Sequence, residues 1–144
     1  MSEKLIRIGK ISSVNAAEGM ARVTYPDMDD SVTAELPVFC FTGEYRMPEV
    51  GAEVLVVHLS NGSSAGVVLG RYWNKADKPP VDSGFYKELG EDAYLKFDDG
   101  KLTIHAPQIV LDGPVKTTAD IDVSGVSAKT HTHTGVHGET SGPH

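Results

Sequence analysis

At 144 residues the chain has room for one ordinary domain, or for a small domain with an elongated attachment, and a large enzyme with a deep pocket is not expected. The formal charge is -7, and residues 81–144 carry two acidic side chains for every basic one, so the basic footprint of a nucleic-acid or anionic-membrane binder is missing. The single cysteine, Cys40, excludes a disulfide framework within one chain, and its setting in Pro-Val-Phe-Cys-Phe reads as core packing.

No apolar run approaches the roughly 18 residues needed to cross a bilayer. The opening MSEKLIRIGK lacks the apolar core of a secretion signal, so the chain is expected to be soluble where it is made.

Strand-like patterning dominates the first half. Leu5–Val14 alternates through Ile6 and Ile8 and then Ile11, and Met20–Tyr25 alternates through Ala21, Val23 and Tyr25 after a turn at Glu18-Gly19. Those two segments predict a hairpin. Thr33–Phe41 is a third strand, moved toward a sheet edge by Pro37, which has no N–H to donate. Glu53–Leu59 and Ala65–Tyr72 flank Ser60-Asn61-Gly62-Ser63, where an Asn-Gly pair tolerates positive φ. Five short antiparallel strands in this span suggest a small barrel of the OB type over residues 1–76.

Proline, charge and turn formers then cluster in NKADKPPVDSG, which predicts a linker over 77–84. Beyond it, over 85–130, the apolar residues come in sparse pairs: Tyr94 and Phe97, Leu102 and Ile104, Ile109 and Leu111, Ile121 and Val123, with Val115 and Val126 between Asp-Gly, Gly-Pro and Ser-Gly turns. Strands this short cannot enclose a core within one chain. Either the region is disordered or several copies wrap together so that each closes the others' core. Enrichment in Val, Ile and Thr favours wrapping.

Four of the six histidines, His131, His133, His137 and His144, crowd into residues 131–144. In an extended strand positions i and i+2 share a face, so His131 and His133 are expected to point the same way. One such pair is a weak chelate, but three chains about a threefold axis supply six imidazole nitrogens, enough for an octahedron. That donor set suits Fe2+, Co2+ or Ni2+ better than Zn2+, which prefers four ligands in structural roles, and it leaves no open position for a catalytic water. A His- and Gly-rich terminal run is also compatible with a disordered tail, although Thr, Val and Glu interleave here where a simple histidine block has none. His137 and His144 are left out of the expected ligand set. His58 and His105 stand singly in strand-like contexts and read as packed or surface residues.

The stretch MPEVGAEVLVVHLSNGSSAGVVLGRYWN, Met47–Asn74, resembles the OB domain of phage baseplate assembly protein V and of related spike proteins of type VI secretion. The tail HTHTGVHGETSGP, His131–Pro143, resembles the His-x-His segment at the spike tip of that family, and the two stretches, under a third of the chain, occur in the family's order. The resemblance implies an all-β chain: an OB domain, an intertwined trimeric β-helix as a shaft, and a tip where His131 and His133 of three chains hold one iron ion, Fe2+. It further implies a non-enzymatic, membrane-piercing spike of a contractile tail baseplate or phage-tail-like particle, assembled in the bacterial cytoplasm. The OB domain would dock on the tail hub, tube and baseplate proteins and the tip would meet the target envelope, with neither nucleic acid nor a small-molecule substrate as partner. His137 departs from the pattern, and the length leaves no room for an inserted lysozyme-like domain, so cell-wall hydrolysis is not implied.

Two other readings compete. OB barrels also bind single-stranded nucleic acid, which needs a basic groove with exposed aromatics; residues 1–80 are slightly acidic, and Phe39 and Phe41 sit where core residues are expected. A cupin-like metalloenzyme pairs His-x-His with a nearby glutamate, but Glu139 lies beyond that tight spacing. No Ser-His-Asp, Cys-His or Walker arrangement is evident.

Overall fold

The structure, a computed structural model, describes residues 5–59, 64–136, 138 and 139. The chain divides into two compact units, Met1–Asp82 and Ser83–His144, and the division falls within the stretch read as a linker. Among the described residues the regular structure is almost all strand, with two short 3-10 turns at Pro26–Met28 and Phe41–Gly43. No helix among them is long and apolar enough to cross a membrane.

The first unit holds β1 (Ile6–Asn15), β2 (Met20–Tyr25), β3 (Ser31–Val32), β4 (Leu36–Pro37), β5 (Glu53–His58) and β6 (Gly66–Arg71). They form one antiparallel sheet in the order β3-β2-β1-β5-β6, with β4 paired to β2. The segment after β4 also reaches β6: Val38 makes a parallel bridge to Val68, and the Phe39 N–H donates to Val68 O at 2.8 Å. The turn expected at Ser60–Ser63 lies outside the described residues.

Alternate positions of β2 and β5 turn Ala21, Val23, Tyr25, Val54 and Val56 inward, where they pack with Ile11, Leu36 and Val68 as the core. β1 departs from its apolar alternation: Ile6 and Ile8 face outward, while Arg7, Gly9 and Ile11 face the core. The reason is space, because a Cβ at Gly9 would stand 2.4 Å from Val23 Cγ1. Beside it, the Arg7 guanidinium lies 5.6 Å from the centroid of the Tyr25 ring and covers it.

Of the expected strand Thr33–Phe41 only the two-residue β4 is formed, and β3 lies just before it. Buried Thr33 interrupts the ladder by using its hydroxyl twice, accepting from Val23 N at 3.0 Å and donating to Ala34 O at 2.7 Å. Past Val38 the chain leaves the sheet through the 3-10 turn, with Thr42 at φ 53°. Phe39, Cys40 and Phe41 are therefore exposed, against the core placement their apolar setting suggested. Phe39 and Phe41 instead pack on each other, edge to face at 4.7 Å.

His58 is buried beside the core, with Thr33 the other buried polar residue among those described. Its Nδ1 lies 3.1 Å from Ala65 O, which can only accept, so Nδ1 carries the proton and Nε2 accepts from the Tyr25 hydroxyl at 2.7 Å.

The second unit holds β7 (Phe85–Gly90), β8 (Ala93–Asp98) and β9 (Lys101–His105) in one antiparallel sheet, then the hairpins β10 (Asp122–Val123) with β11 (Val126–Ser127) and β12 (Thr134–Gly135) with β13 (Gly138–Glu139). Asp99-Gly100 and Ser124-Gly125 each place two consecutive residues at positive φ, which a two-residue hairpin loop matched to strand twist requires. Register puts Phe85, Phe97 and Leu102 in one cross-strand row and Leu95 and Ile104 in the next, on one face of the sheet. On the other face Tyr86, Tyr94 and His105 stack at 5.3 and 4.9 Å. None of the described residues of this unit is buried, and Ile109, Val110, Leu111 and Val115, in an extended segment without strand pairing, are all exposed.

Burial pushes the Tyr25 phenol up from 10.0 to about 12, with the Arg7 cation partly opposing. An unfolded phenol ionises near 10 while the folded one does not, so this group's contribution to stability falls as pH rises from 10 to about 12. Tyr25→Phe should abolish that alkaline slope in urea midpoints taken across the interval. At neutral pH it should cost about 1–3 kcal/mol by leaving His58 Nε2 buried without a donor.

Candidate metal centre

The chain from Asp120 to His131 is ordered by hydrogen bonds among short polar side chains. Asp120 Oδ1 accepts from Ile121 N and Lys129 N, both at 2.9 Å, and Oδ2 accepts from the Ser127 hydroxyl. Ser127 Oγ in turn accepts from Thr130 N at 2.9 Å and from the Thr130 hydroxyl at 2.7 Å. Within the β10–β11 hairpin, Asp122 Oδ1 accepts from Gly125 N at 2.8 Å, and Ala128 N donates back across it to Ile121 O at 2.8 Å. One carboxylate thus ties together three points of the chain around the hairpin.

This cap holds His131. Its backbone N–H donates to Ser127 O at 3.2 Å, closing a turn, and its ring Nδ1 lies 2.9 Å from Ser127 O and 3.2 Å from Ala128 O. Carbonyls accept only, so the ring proton sits on Nδ1 and the lone pair sits on Nε2, the tautomer a metal ligand uses. The His133 ring meets it edge to face, with centroids 5.1 Å apart and planes at 89°. The two expected ligands are therefore neighbours. The strand expected to present them is not formed at 131–133, and the His131 N–H is used instead in the turn back to Ser127 O.

Two imidazoles make an incomplete shell. Among the described residues no three His, Cys, Asp or Glu side chains of one chain converge as a metal site. The donor chemistry nevertheless fits a soft-to-borderline divalent metal shared between copies, since a neutral imidazole with its other nitrogen pinned to a carbonyl is a suitable ligand for iron, cobalt or nickel. His137 and His144 lie outside the described residues. His58 is packed in the core of the first unit, and His105 is on the surface, its Nε2 3.2 Å from Asp92 Oδ1.

Sequence reasoning found the histidine pair but missed Asp120 and Ser127. The signal was present: short Asp and Ser side chains around a Ser-Gly turn are the ones that bond to neighbouring backbone. No family model matches the chain, and no curated protein matches it.

The Ser127 hydroxyl, followed by the N–H groups of Lys129 and Ile121 and the nearby His131, holds the Asp120 carboxyl below its ordinary 3.8. A lowered carboxyl pKa stabilises the cap above pH 3.8, and that contribution is lost as pH falls through the lowered value. In a pH series of 13C carboxyl spectra Asp120 should titrate below 3.8, and Ser127→Ala should move it back toward that value.

Proposed function

We propose that this chain is the central spike of a contractile phage tail baseplate or of a related injection device, acting as a homotrimer without catalysis. Residues 1–76 are an OB domain that docks on the tail hub, tube and baseplate proteins, 77–84 a linker, 85–130 an intertwined β-helix shaft, and 131–144 a tip that meets the target envelope. His131 and His133 of three chains hold one Fe2+ there, with Co2+ or Ni2+ as substitutes of like geometry.

The observation that carries this reading is the uncovered apolar face of the second unit. Phe85, Phe97, Leu102 and Ile104 are each about half exposed on one side of a three-stranded sheet, and Val110 and Leu111 farther along are about 70% exposed. A soluble single chain rarely leaves so much contiguous apolar surface wet. Copies arranged about an axis would cover it and close the free edges of β7 and β9 at the same time.

Two further features agree. In the first unit the pairings run from β1 to β2 to β4, across Val38–Val68 to β6, and back through β5 to β1, a circuit of the kind a small, partly open Greek-key barrel makes. At the tip, His131 offers Nε2 beside the His133 ring, so three copies would bring six nitrogens together. Bound metal would supply cohesion between chain ends, which otherwise fray first. The chain's own residues orient the His131 imidazole and keep its Nδ1 protonated.

One observation favours the second reading. Phe39 and Phe41 are exposed, as stacking onto single-stranded nucleic acid requires. Such platforms also need a cationic groove, whereas residues 1–80 carry more acidic than basic side chains. The spike reading is therefore preferred, and a labelled oligonucleotide at low salt should remain unbound.

Native mass spectrometry with metal analysis tests the proposal, with three chains and one iron per particle expected. His131→Ala combined with His133→Ala should remove the metal and keep the trimer. Phe97→Asp, which puts a charge on the apolar face, should yield single chains. A wild-type chain that is monomeric in solution would overturn the reading.

A further inference from the structure

We infer that Asp120 is the positioning residue of the His131–His133 metal site, an inference that rests on the metal reading above. Asp120 does not reach the imidazole; it acts through Ser127. Its Oδ2 accepts from the Ser127 hydroxyl, while its Oδ1 fixes the N–H groups of Ile121 and Lys129 at 2.9 Å on either side of the β10–β11 hairpin. The residue so held is the one whose carbonyl takes both the His131 N–H, at 3.2 Å, and the His131 ring Nδ1, at 2.9 Å.

Two consequences follow for the ligand. A fixed Ser127 carbonyl keeps the His131 proton on Nδ1 and the lone pair on Nε2, and it fixes the direction in which Nε2 points. A loosened Ser127 releases both constraints, so each of three chains must order its imidazole when metal binds, and affinity falls. The hairpin supplies an internal control. Asp122 is a second aspartate of the same hairpin, the register partner of Ser127, but its Oδ1 accepts from Gly125 N at 2.8 Å in the turn, while the Ser127 hydroxyl donates to Asp120.

The test titrates the full chain with Co2+, following its d–d absorption and the metal retained per chain after dialysis. Asp120→Ala should bind about 10–100-fold more weakly at unchanged stoichiometry, as loss of an outer-shell partner does. Ser127→Ala should weaken binding in the same direction, because it cuts the link and leaves the carbonyl. Asp122→Ala should bind as wild type does. Asp120→Asn keeps an oxygen acceptor for Ile121 N and Lys129 N and should recover part of the loss.

Wild-type affinity in Asp120→Ala, with metal lost from the double histidine variant, would overturn this inference and leave the metal reading standing. Equal weakening in Asp122→Ala and Asp120→Ala would also overturn it, since hairpin stability alone would then account for both. If circular dichroism finds Asp120→Ala unfolded, Ser127→Ala against Asp122→Ala decides by the same comparison. A wild-type chain that takes up no Co2+ would overturn the metal reading, and this inference with it.

Discussion

The second unit has strands but no interior, and most of what is distinctive about the chain follows from that constraint. β9 orders five residues, at about 1–2 kcal/mol of backbone entropy each. It carries Leu102 and Ile104, each worth about 1.5–3 kcal/mol only when fully buried, and both are more than half exposed. Cross-strand hydrogen bonds to β8 narrow that deficit without closing it. The first unit meets the same cost differently. Eight buried side chains from five strands pack into one cluster, and the Tyr25–His58 pair is satisfied inside it.

Where apolar burial is missing, local polar bonding takes over. From Asp120 to His131 the backbone is held by carboxylate and hydroxyl groups that find partners within a few residues, all in contact with water. Such bonds select a conformation more than they stabilise it, because water competes for every partner. A metal shared by several chains would act at this point, adding cohesion where neither a core nor a long ladder is available. On the proposed reading, the shaft is stabilised by covering its apolar face and the tip by coordination.

The legible parts of the fold were those where alternation and burial coincide. β2 is legible over its whole length and β5 and β6 to within a residue at each end, because inward positions alternate, Ala, Val and Tyr in β2 and Val and Val in β5. β1 was read as a strand, yet its isoleucines misled as to its inner face, since Gly9 occupies a point of close approach that no apolar side chain could fill. Phe39, Cys40 and Phe41 look like core in sequence and are exposed, because the chain leaves the ladder after the Phe39 N–H bond to Val68 O and enters the 3-10 turn at Phe41–Gly43. Ile109 and Leu111 have strand spacing but no strand partner among the described residues. β7, Phe-Tyr-Lys-Glu-Leu-Gly, has no clean period of two and was not singled out. At the site, the rings of His131 and His133 do lie together, although the strand that was to present them is not formed. The supporting residue types are legible around the Ser-Gly turn, but their partners are not, since Asp120 reaches residues seven and nine positions away through a hairpin.

That support has a property the apolar face lacks: every bond in it begins and ends within one chain. The path from Asp120 through Ser127 to His131 needs no neighbour, so the ring tautomer and the aim of Nε2 are settled before any second copy arrives. The side chains of β7, β8 and β9 are in the opposite condition, with register fixed within the chain and burial dependent on something outside it. Association would then need only to bring three prepared ligand pairs to one axis, without folding them. Because the His131 imidazole is already ordered, metal binding would spend less of its free energy on conformational entropy and more on holding the chains together. On the proposed reading, ligand geometry and subunit association would thereby be carried by different residues, through different physics, and either could be altered by substitution without removing the chemical basis of the other.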